Sequence, residues 1–251
     1  MPTCLHFADC HNDLLLGVAF QRDLGNDDLF GEFWLPQLRA GDVRLCVLPV
    51  YTEDWFTGEA ALRRALTTIE TARTMAARQA DDVTLVTTAG ELRATLDAGR
   101  ITLLLAFEGM EPVGADIDLI DAFWHLGVRM ASLTWNRRTP FADGLGERGT
   151  GAGLTELGQR AVERMESLGM IVDVSHLSDA GFDHLAQVAT RPFVASHSSC
   201  RDVFDHPRNL DDVRLRTIVE HGGFVGLNAL GDFVGEGATV DTFLDHIEHA
   251  V

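Results

Sequence analysis

Apolar segments that alternate with helical segments along the chain predict an α/β fold, built as a TIM-type (β/α)8 barrel. The apolar runs, such as Val43–Tyr51, are almost continuous, which is typical of parallel strands that are buried on both faces. Helical segments separate the runs, as parallel βαβ units require. Polar residues stand where several runs end, at the rim on which such barrels build active sites. The 251 residues suit one barrel, so we expect a single domain over residues 1–251.

In the first half of the chain, the predicted strands and helices do not alternate regularly. A short apolar strand opens the stretch 7–13, and a loop and a helix follow as far as Gly41-Asp42. An insertion with two further helices then lengthens one crossover beyond the usual length. The remaining predicted elements are strand 43–51, helix 59–80, a short β-branched run at 84–88, helix 89–98 and strand 101–107, which ends at Glu108.

The second half of the chain alternates strands and helices regularly. Thr155 is placed to cap a helix that Gly169 ends, since Thr favours the N-terminal cap and Gly the position after the last turn. The predicted elements are helix 117–126, strand 128–134, helix 155–168, strand 170–174, helix 178–189, strand 193–195, helix 211–221, strand 224–230 and a helix that begins at 240.

The predicted barrel strands number seven, whereas a closed barrel of this type has eight. The chain stops at Val251, inside what would be the seventh helix. By this count the eighth strand is missing from the chain. We favour a natural chain that continues past Val251 over a sheet that closes in another way.

Charge and composition narrow the classes of function. The formal net charge of −18 disfavours nucleic acid as a partner, because phosphate binding needs a basic surface. The sequence contains no lysine, which excludes a Schiff-base lysine and a carboxylated lysine that bridges metal ions. No apolar run approaches the roughly 20 residues that cross a bilayer, and the first strand leaves no room for a signal peptide. We therefore expect a cytoplasmic protein without a membrane partner.

The cysteines do not form a metal-binding motif. They are scattered, with no pair two residues apart, so we expect reduced thiols in the core and no zinc site built from thiolates. The four positions are Cys4, Cys10, Cys46 and Cys200.

Candidate metal ligands stand where the predicted strands end. His11 and Asp13 end the first strand, and residues two apart in a strand face the same side, so both side chains can bind one ion. Glu108, His176 and His197 end three later strands in the same way. Five ligands exceed what one tetrahedral zinc ion needs. The pattern therefore predicts two metal ions, with Glu108 as the bridging ligand.

Short motifs around these ligands resemble one known family. They are DCHND at 9–13, FEG at 107–109, VDVSHLS at 172–178, SHSS at 196–199 and PRNLDD at 207–212. In this order they resemble the membrane dipeptidase (renal dipeptidase) family of zinc peptidases, in its bacterial type. The resemblance implies a barrel of the metal-dependent hydrolase kind, with two Zn²⁺ ions per chain.

The resemblance also implies a role for each residue. A bridging hydroxide, activated by the two zinc ions, would hydrolyse dipeptides, which makes the chain a hydrolase and metalloprotease that acts in proteolysis. Glu108 and Arg208 would be the catalytic residues, and Arg208 would also bind the free carboxylate of the substrate. Of the other ligands, His11 and Asp13 would bind one zinc ion, and His176 and His197 the other.

The sequence departs from the family pattern at two places. Animal members have a histidine after the Leu-Thr of the fourth strand, where this chain has Trp135. We expect Trp135 to contact the substrate, without the histidine's role at the reacting carbonyl. The family also has an aspartate in a Gly-Ser-Asp-Phe-Asp-Gly segment on the eighth strand, where it handles the proton, and no such segment occurs before Val251.

Two other functions compete with the dipeptidase. One is a metal-dependent amidohydrolase, lactonase or phosphoesterase on the same barrel, for which Arg208 would matter little if the substrate has no carboxylate. The other is an inactive fragment or a non-catalytic metal-binding protein, which the missing acid/base aspartate favours. The expected partner is a dipeptide, and a homodimer is compatible with the sequence.

Overall fold

The computed structural model describes residues 6–251, which form two compact units. The first unit runs as far as Val113 and includes Asp121–Met130, and the second comprises Gly114–Ile120 and Ala131–Val251. Strands and helices alternate along the chain, so the predicted α/β class is confirmed. The single domain over residues 1–251 stays a prediction. Cys4 lies outside the described residues.

The first unit contains most of the parallel sheet. Its elements are β1 (Phe7–Asp9), α1 (Leu14–Asp23), α2 (Leu35–Ala40), β2 (Val43–Tyr51), α3 (Glu59–Arg78), β3 (Val83–Leu85), α4 (Ala89–Asp97) and β4 (Ile101–Glu108). The strand order is β1-β2-β4, and β3 pairs with β4. A π-helical turn at Phe30–Trp34 leads into α2. Two further elements, α5 (Asp118–His125) and β5 (Val128–Ser132), contain residues of both units.

The register of this sheet places one candidate ligand at its carboxyl edge. In the parallel pairing of β2 with β4, Tyr51 lies opposite Glu108, the last residue of β4. The buried face of α3 carries alanine and isoleucine at helical spacing, at Ala61, Ala65 and Ile69. Small residues let a helix lie close to the sheet that it covers, here against β2.

The second unit contains the helix that the capping pattern predicted. Thr155 accepts a hydrogen bond from the N–H of Gly158 at 3.0 Å and so caps α6, and Gly169 ends that helix with a φ of +74°. The elements are a 3₁₀ turn at Leu145–Thr150, α6 (Glu156–Leu168), β6 (Ile171–Asp173), α7 (Asp179–Val188), α8 (Asp212–Glu220), α9 (Gly231–Val234) and α10 (Val240–Ala250).

The predicted strands 193–195 and 224–230 are not extended strands in the structure. Each contributes an isolated parallel bridge, Val194 with Asp173 and Ala195 with Val225. Backbone pairing stops after Gly226. The next contact comes from a side chain, since the Ser199 hydroxyl donates to the Asn228 carbonyl at 2.9 Å. Five of the seven predicted barrel strands are therefore regular strands in the described residues, and the other two positions keep only single parallel bridges. The sixth observed strand is the predicted β-branched run at 84–88.

Gly223 allows two segments of the second unit to approach closely. A Cβ atom at this position would overlap the carbonyl oxygen of Phe193. The backbone therefore needs a residue without a side chain here, next to the bridge between Ala195 and Val225. This contact fixes the segment that leads to His197.

Among residues 6–251, no helix combines the length and the apolar composition that crossing a bilayer would need. The cytoplasmic location stays a prediction.

The first prediction concerns Gly223. Gly223→Ala should lower the free energy of unfolding by about 1–3 kcal/mol, the usual cost of overpacking, because the methyl group has no space beside Phe193. Urea unfolding followed by circular dichroism measures the change. Gly149→Ala is the matched control, since no atom lies within 4 Å of its added Cβ. Equal stability of the two variants would contradict the prediction.

Candidate metal centre

A tight turn after β1 carries His11 and Asp13. The strand ends at Asp9, whose carboxylate accepts hydrogen bonds from the His11 N–H at 3.3 Å and from the Asn12 side chain at 2.7 Å. The N–H of Asn12 donates to Val47 of β2 at 3.0 Å. His11 and Asp13 therefore lie beyond the strand, so the expectation that they belong to one strand face is wrong, although Asn12 between them still donates to β2.

The turn nevertheless brings His11 next to two carboxylates. Its Nε2 atom lies 3.4 Å from Oδ1 of Asp13 and 3.6 Å from Oε1 of Glu108. The side chains of His11 and Glu108 are each 8% exposed, whereas that of Asp13 is 66% exposed. One imidazole nitrogen and two carboxylate oxygens are a donor set that suits zinc, manganese, cobalt or iron.

The second unit brings two buried histidines together. His176 lies in the turn after β6, and its backbone φ of +69° is one that residues other than glycine rarely adopt. His197 follows the bridge at Ala195. Their Nε2 atoms are 3.0 Å apart. The strand alternation expected for His176 is wrong, since β6 ends at Asp173.

The spacing of this pair is compatible with one metal ion. Two nitrogens that bind a tetrahedral zinc at about 2.0–2.1 Å lie about 3.3 Å from each other. The 3.0 Å separation of the Nε2 atoms is close to that value. A strained backbone, such as that of His176, is also common in functional sites. The two histidines therefore fit a metal ion.

The loop between β5 and α6 holds the backbone at His176. The N–H of Leu145 donates to the carbonyl of His176 at 2.9 Å, and the N–H of Ser178 donates to the carbonyl of Asp143 at 3.1 Å. Hydrogen bonds from Arg138 and the Thr150 hydroxyl lower the pKa of the buried Asp143 carboxyl, against the effect of burial. The charged carboxylate thus ties this loop together.

Arg208 and Trp135 both lie near His176. Arg208 is only 4% exposed, and its Nη1 donates to the Ser198 hydroxyl at 2.8 Å. With Ser198 and His176 it lines a small cavity. The ring of Trp135 lies 5.9 Å from the ring of His176. The structure therefore groups these two predicted substrate contacts with the histidine pair.

Cys46 and Cys200 are buried free thiols, whereas Cys10 is only partly buried. Burial, with a smaller effect of Asp9, raises the pKa of the Cys46 thiol, and burial raises the pKa of Cys200 to about 11. Both thiols stay protonated at neutral pH, in agreement with the expected core role.

Sequence reasoning missed the residues that hold the imidazoles. Asn136 Oδ1 lies 2.9 Å from Nδ1 of His176, and Ser196 Oγ lies 2.7 Å from Nδ1 of His197. The available signal was local: Ser196 directly precedes a predicted ligand, and Asn136 follows Trp135 where a predicted strand ends.

Comparison with known proteins gives consistent matches. The model of the membrane dipeptidase family (peptidase family M19) matches residues 3–251. An uncharacterised dipeptidase of Schizosaccharomyces pombe is 31% identical over 269 residues, which covers 96% of this chain and 64% of that protein. The chain spans 63–66% of the length of this and two further curated relatives.

Two solved structures share the fold of almost the whole chain. Dipeptidase AC, a metallopeptidase of family M19, is 30% identical with a TM-score of 0.90, and the match covers 98% of this chain and 80% of that one. A metallopeptidase from Rhodobacter sphaeroides, liganded with a phosphinate mimic of the dipeptide L-Ala-D-Ala, is 28% identical with a TM-score of 0.90. That match covers 98% of this chain and 82% of the other.

The second prediction concerns metal binding by the histidine pair. Zinc at 100 times its dissociation constant should stabilise the chelator-stripped protein by about 2.7 kcal/mol, since it binds the folded state. Thermal unfolding with and without zinc measures this effect. His176→Ala and His197→Ala should each remove most of the shift, whereas His125→Ala, at the exposed end of α5, should keep it. A full zinc shift in the His176→Ala and His197→Ala variants would exclude the pair as ligands.

Proposed function

The chain belongs to the membrane dipeptidase family, peptidase family M19, and on that premise we propose that it hydrolyses dipeptides with two zinc ions as cofactor. The observation that carries the proposal is the pair of buried imidazoles, His176 and His197, whose Nε2 atoms face each other at 3.0 Å. The fold proposed for the enzyme is the TIM-type (β/α)8 barrel of metal-dependent hydrolases.

The proposed ligands follow the family motifs. His11 and Asp13 would bind one zinc ion, His176 and His197 the other, and Glu108 both. The convergence of His11 with two carboxylates supports the first group, and the nitrogen spacing supports the second. Zinc ions held by these residues would supply an activated water near neutral pH and positive charge for the scissile carbonyl.

Arg208 is the residue proposed to orient the substrate. Its guanidinium group is buried, so an ion pair with the free carboxylate of a dipeptide is weakly screened by water. The Ser198 hydroxyl holds Nη1, and the ring of Phe233 lies 5.8 Å from the guanidinium carbon. A fixed guanidinium sets the distance from the carboxylate to the scissile bond. This arrangement favours dipeptides over longer peptides.

The substrate class includes dipeptides with a D-residue at the carboxyl end. The Rhodobacter sphaeroides relative is liganded with a mimic of L-Ala-D-Ala, which supports this part of the proposal. Trp135 beside His176 supplies an apolar surface that a substrate side chain would contact.

The third prediction tests the activity itself. Chelator-stripped protein should hydrolyse a panel of L,L- and L,D-dipeptides only after zinc is added, because the proposed mechanism needs bound zinc to activate the attacking water. Ninhydrin detection of the released amine measures the rate.

N-acyl amino acids, lactones and phosphoesters serve as control substrates and should stay intact. Preferred cleavage of one of them would favour the rival hydrolase. Folded, zinc-loaded protein that cleaves no dipeptide would refute the dipeptidase function for this chain.

The fourth prediction concerns the carboxylate contact. Arg208→Met should lower kcat/KM for dipeptides by about 30- to 1,000-fold, the loss expected when a buried charge pair of about 2–4 kcal/mol is removed. Arg216→Met is the matched control, because Arg216 is 69% exposed and pairs with Asp212 on the surface. Dipeptide amides, which lack the carboxylate, should react equally slowly with the wild-type protein and Arg208→Met. A larger rate loss for the amides than for the dipeptides would contradict the assigned contact.

A further inference from the structure

We propose that Asp173 and Ser196 are positioning residues for His197: they fix its ring so that Nε2 presents a lone pair to a metal ion. The inference rests on the metal binding in the proposed function, but it concerns residues that the family motifs leave without a role. Asn136 fixes the ring of His176 in the corresponding way.

Asp173 is a buried carboxylate with several donors around it. It is 3% exposed and ends β6. Its Oδ1 atom accepts the backbone N–H groups of Ser175 and Ser196, both at 2.9 Å, and its Oδ2 atom lies 2.5 Å from Oγ of Ser196. A carboxylate only accepts hydrogen bonds, so the Ser196 hydroxyl must donate its proton to Asp173.

This donation determines the protonation of the His197 ring. The Ser196 oxygen also lies 2.7 Å from Nδ1 of His197, and its only proton already points to Asp173. The contact is favourable only if Nδ1–H of His197 donates to the serine oxygen. A neutral imidazole carries one ring proton, so Nε2 of His197 then carries the lone pair that a metal ion can bind.

His176 reaches the same state through Asn136. Its Nδ1 atom lies 2.9 Å from the amide oxygen of Asn136, which accepts a hydrogen bond from Nδ1–H. Its Nε2 atom is therefore an acceptor as well. The two Nε2 atoms lie 3.0 Å apart, so with both rings in this tautomer one cation can bind both lone pairs.

The backbone adds a second link between the two histidine segments. The N–H of His197 donates to the Ser175 hydroxyl at 3.1 Å, next to His176 in the chain. Asp173 thus holds both the residue before His176 and the residue before His197. Hydrogen bonds of this kind to a ligating histidine typically change metal affinity 10- to 100-fold when they are removed.

Two variants of the network give different expected results. Ser196→Ala removes the acceptor for Nδ1–H and should weaken zinc binding 10- to 100-fold. Asp173→Asn keeps the shape, but the amide nitrogen can donate to the serine oxygen, which frees the hydroxyl proton for Nδ1. The ring proton then moves to Nε2, so we expect a loss of zinc affinity at least as large as in Ser196→Ala.

Zinc affinity is measured without substrate, by competition with a chromophoric chelator. Ser199→Ala is the matched control: this buried hydroxyl lies in the same segment, but it bonds to Asn228. Ser196→Thr restores the hydroxyl and should recover most of the affinity. Circular dichroism and thermal unfolding of each metal-free variant establish that it is folded.

The tautomer is measured independently in the metal-free protein. Nitrogen-15 chemical shifts of the imidazole should place the proton of His197 on Nδ1 in the wild-type protein and on Nε2 in Asp173→Asn. A merely structural role for Asp173 would not move this proton.

Several results would overturn the proposal. They are zinc affinities of Ser196→Ala and Asp173→Asn within twofold of the wild-type value, an equal loss in Ser199→Ala, a wild-type His197 protonated on Nε2, or no zinc binding by the wild-type protein. If the wild-type protein bound zinc and the variants behaved as expected, but no dipeptide were cleaved, the proposed function would fail while the role of Asp173 would stand.

Discussion

The buried carboxylate of Asp173 is the interaction on which the histidine pair depends. It joins the end of β6 to the segment that carries His197, through backbone N–H donors on both sides. A buried carboxylate is costly unless hydrogen bonds compensate it, and here three donors do so. The same bonds leave little freedom to the turn at His176, whose backbone has a strained positive φ.

The first unit uses the same device at its own candidate ligands. Asp9 ends β1 and accepts the N–H of His11 two residues later, just as Asp173 ends β6 and accepts the N–H of Ser175. Both are Asx turns, in which a short side chain takes the place of a backbone acceptor. Each turn accompanies the end of its strand. The ligands therefore lie in turns tied to strand ends, and the strands themselves stop earlier than their apolar pattern suggests.

Electrostatics gives the buried arginine its importance in the proposed function. The chain carries a net charge of −18, so its many acidic groups repel the carboxylate of a substrate. Arg208 is enclosed, and the Ser198 hydroxyl holds it near His176. A guanidinium group in that position offers a carboxylate a local attraction that exceeds the screened repulsion from distant acidic residues.

The sequence by itself determined the α/β class, most of the helices and the identity of the candidate ligands. Apolar runs, capping residues such as Thr155 and the absence of lysine carry that information locally, without knowledge of distant contacts. Only the tertiary structure decided where β1 and β6 end, that 224–230 contributes one bridge, and that Oγ of Ser196 lies beside Nδ1 of His197. A short apolar run reads alike in a strand and in a loop. Whether such a run forms a strand depends on distant hydrogen-bond partners, such as Asp173 and Ser196, which are 23 residues apart in the chain.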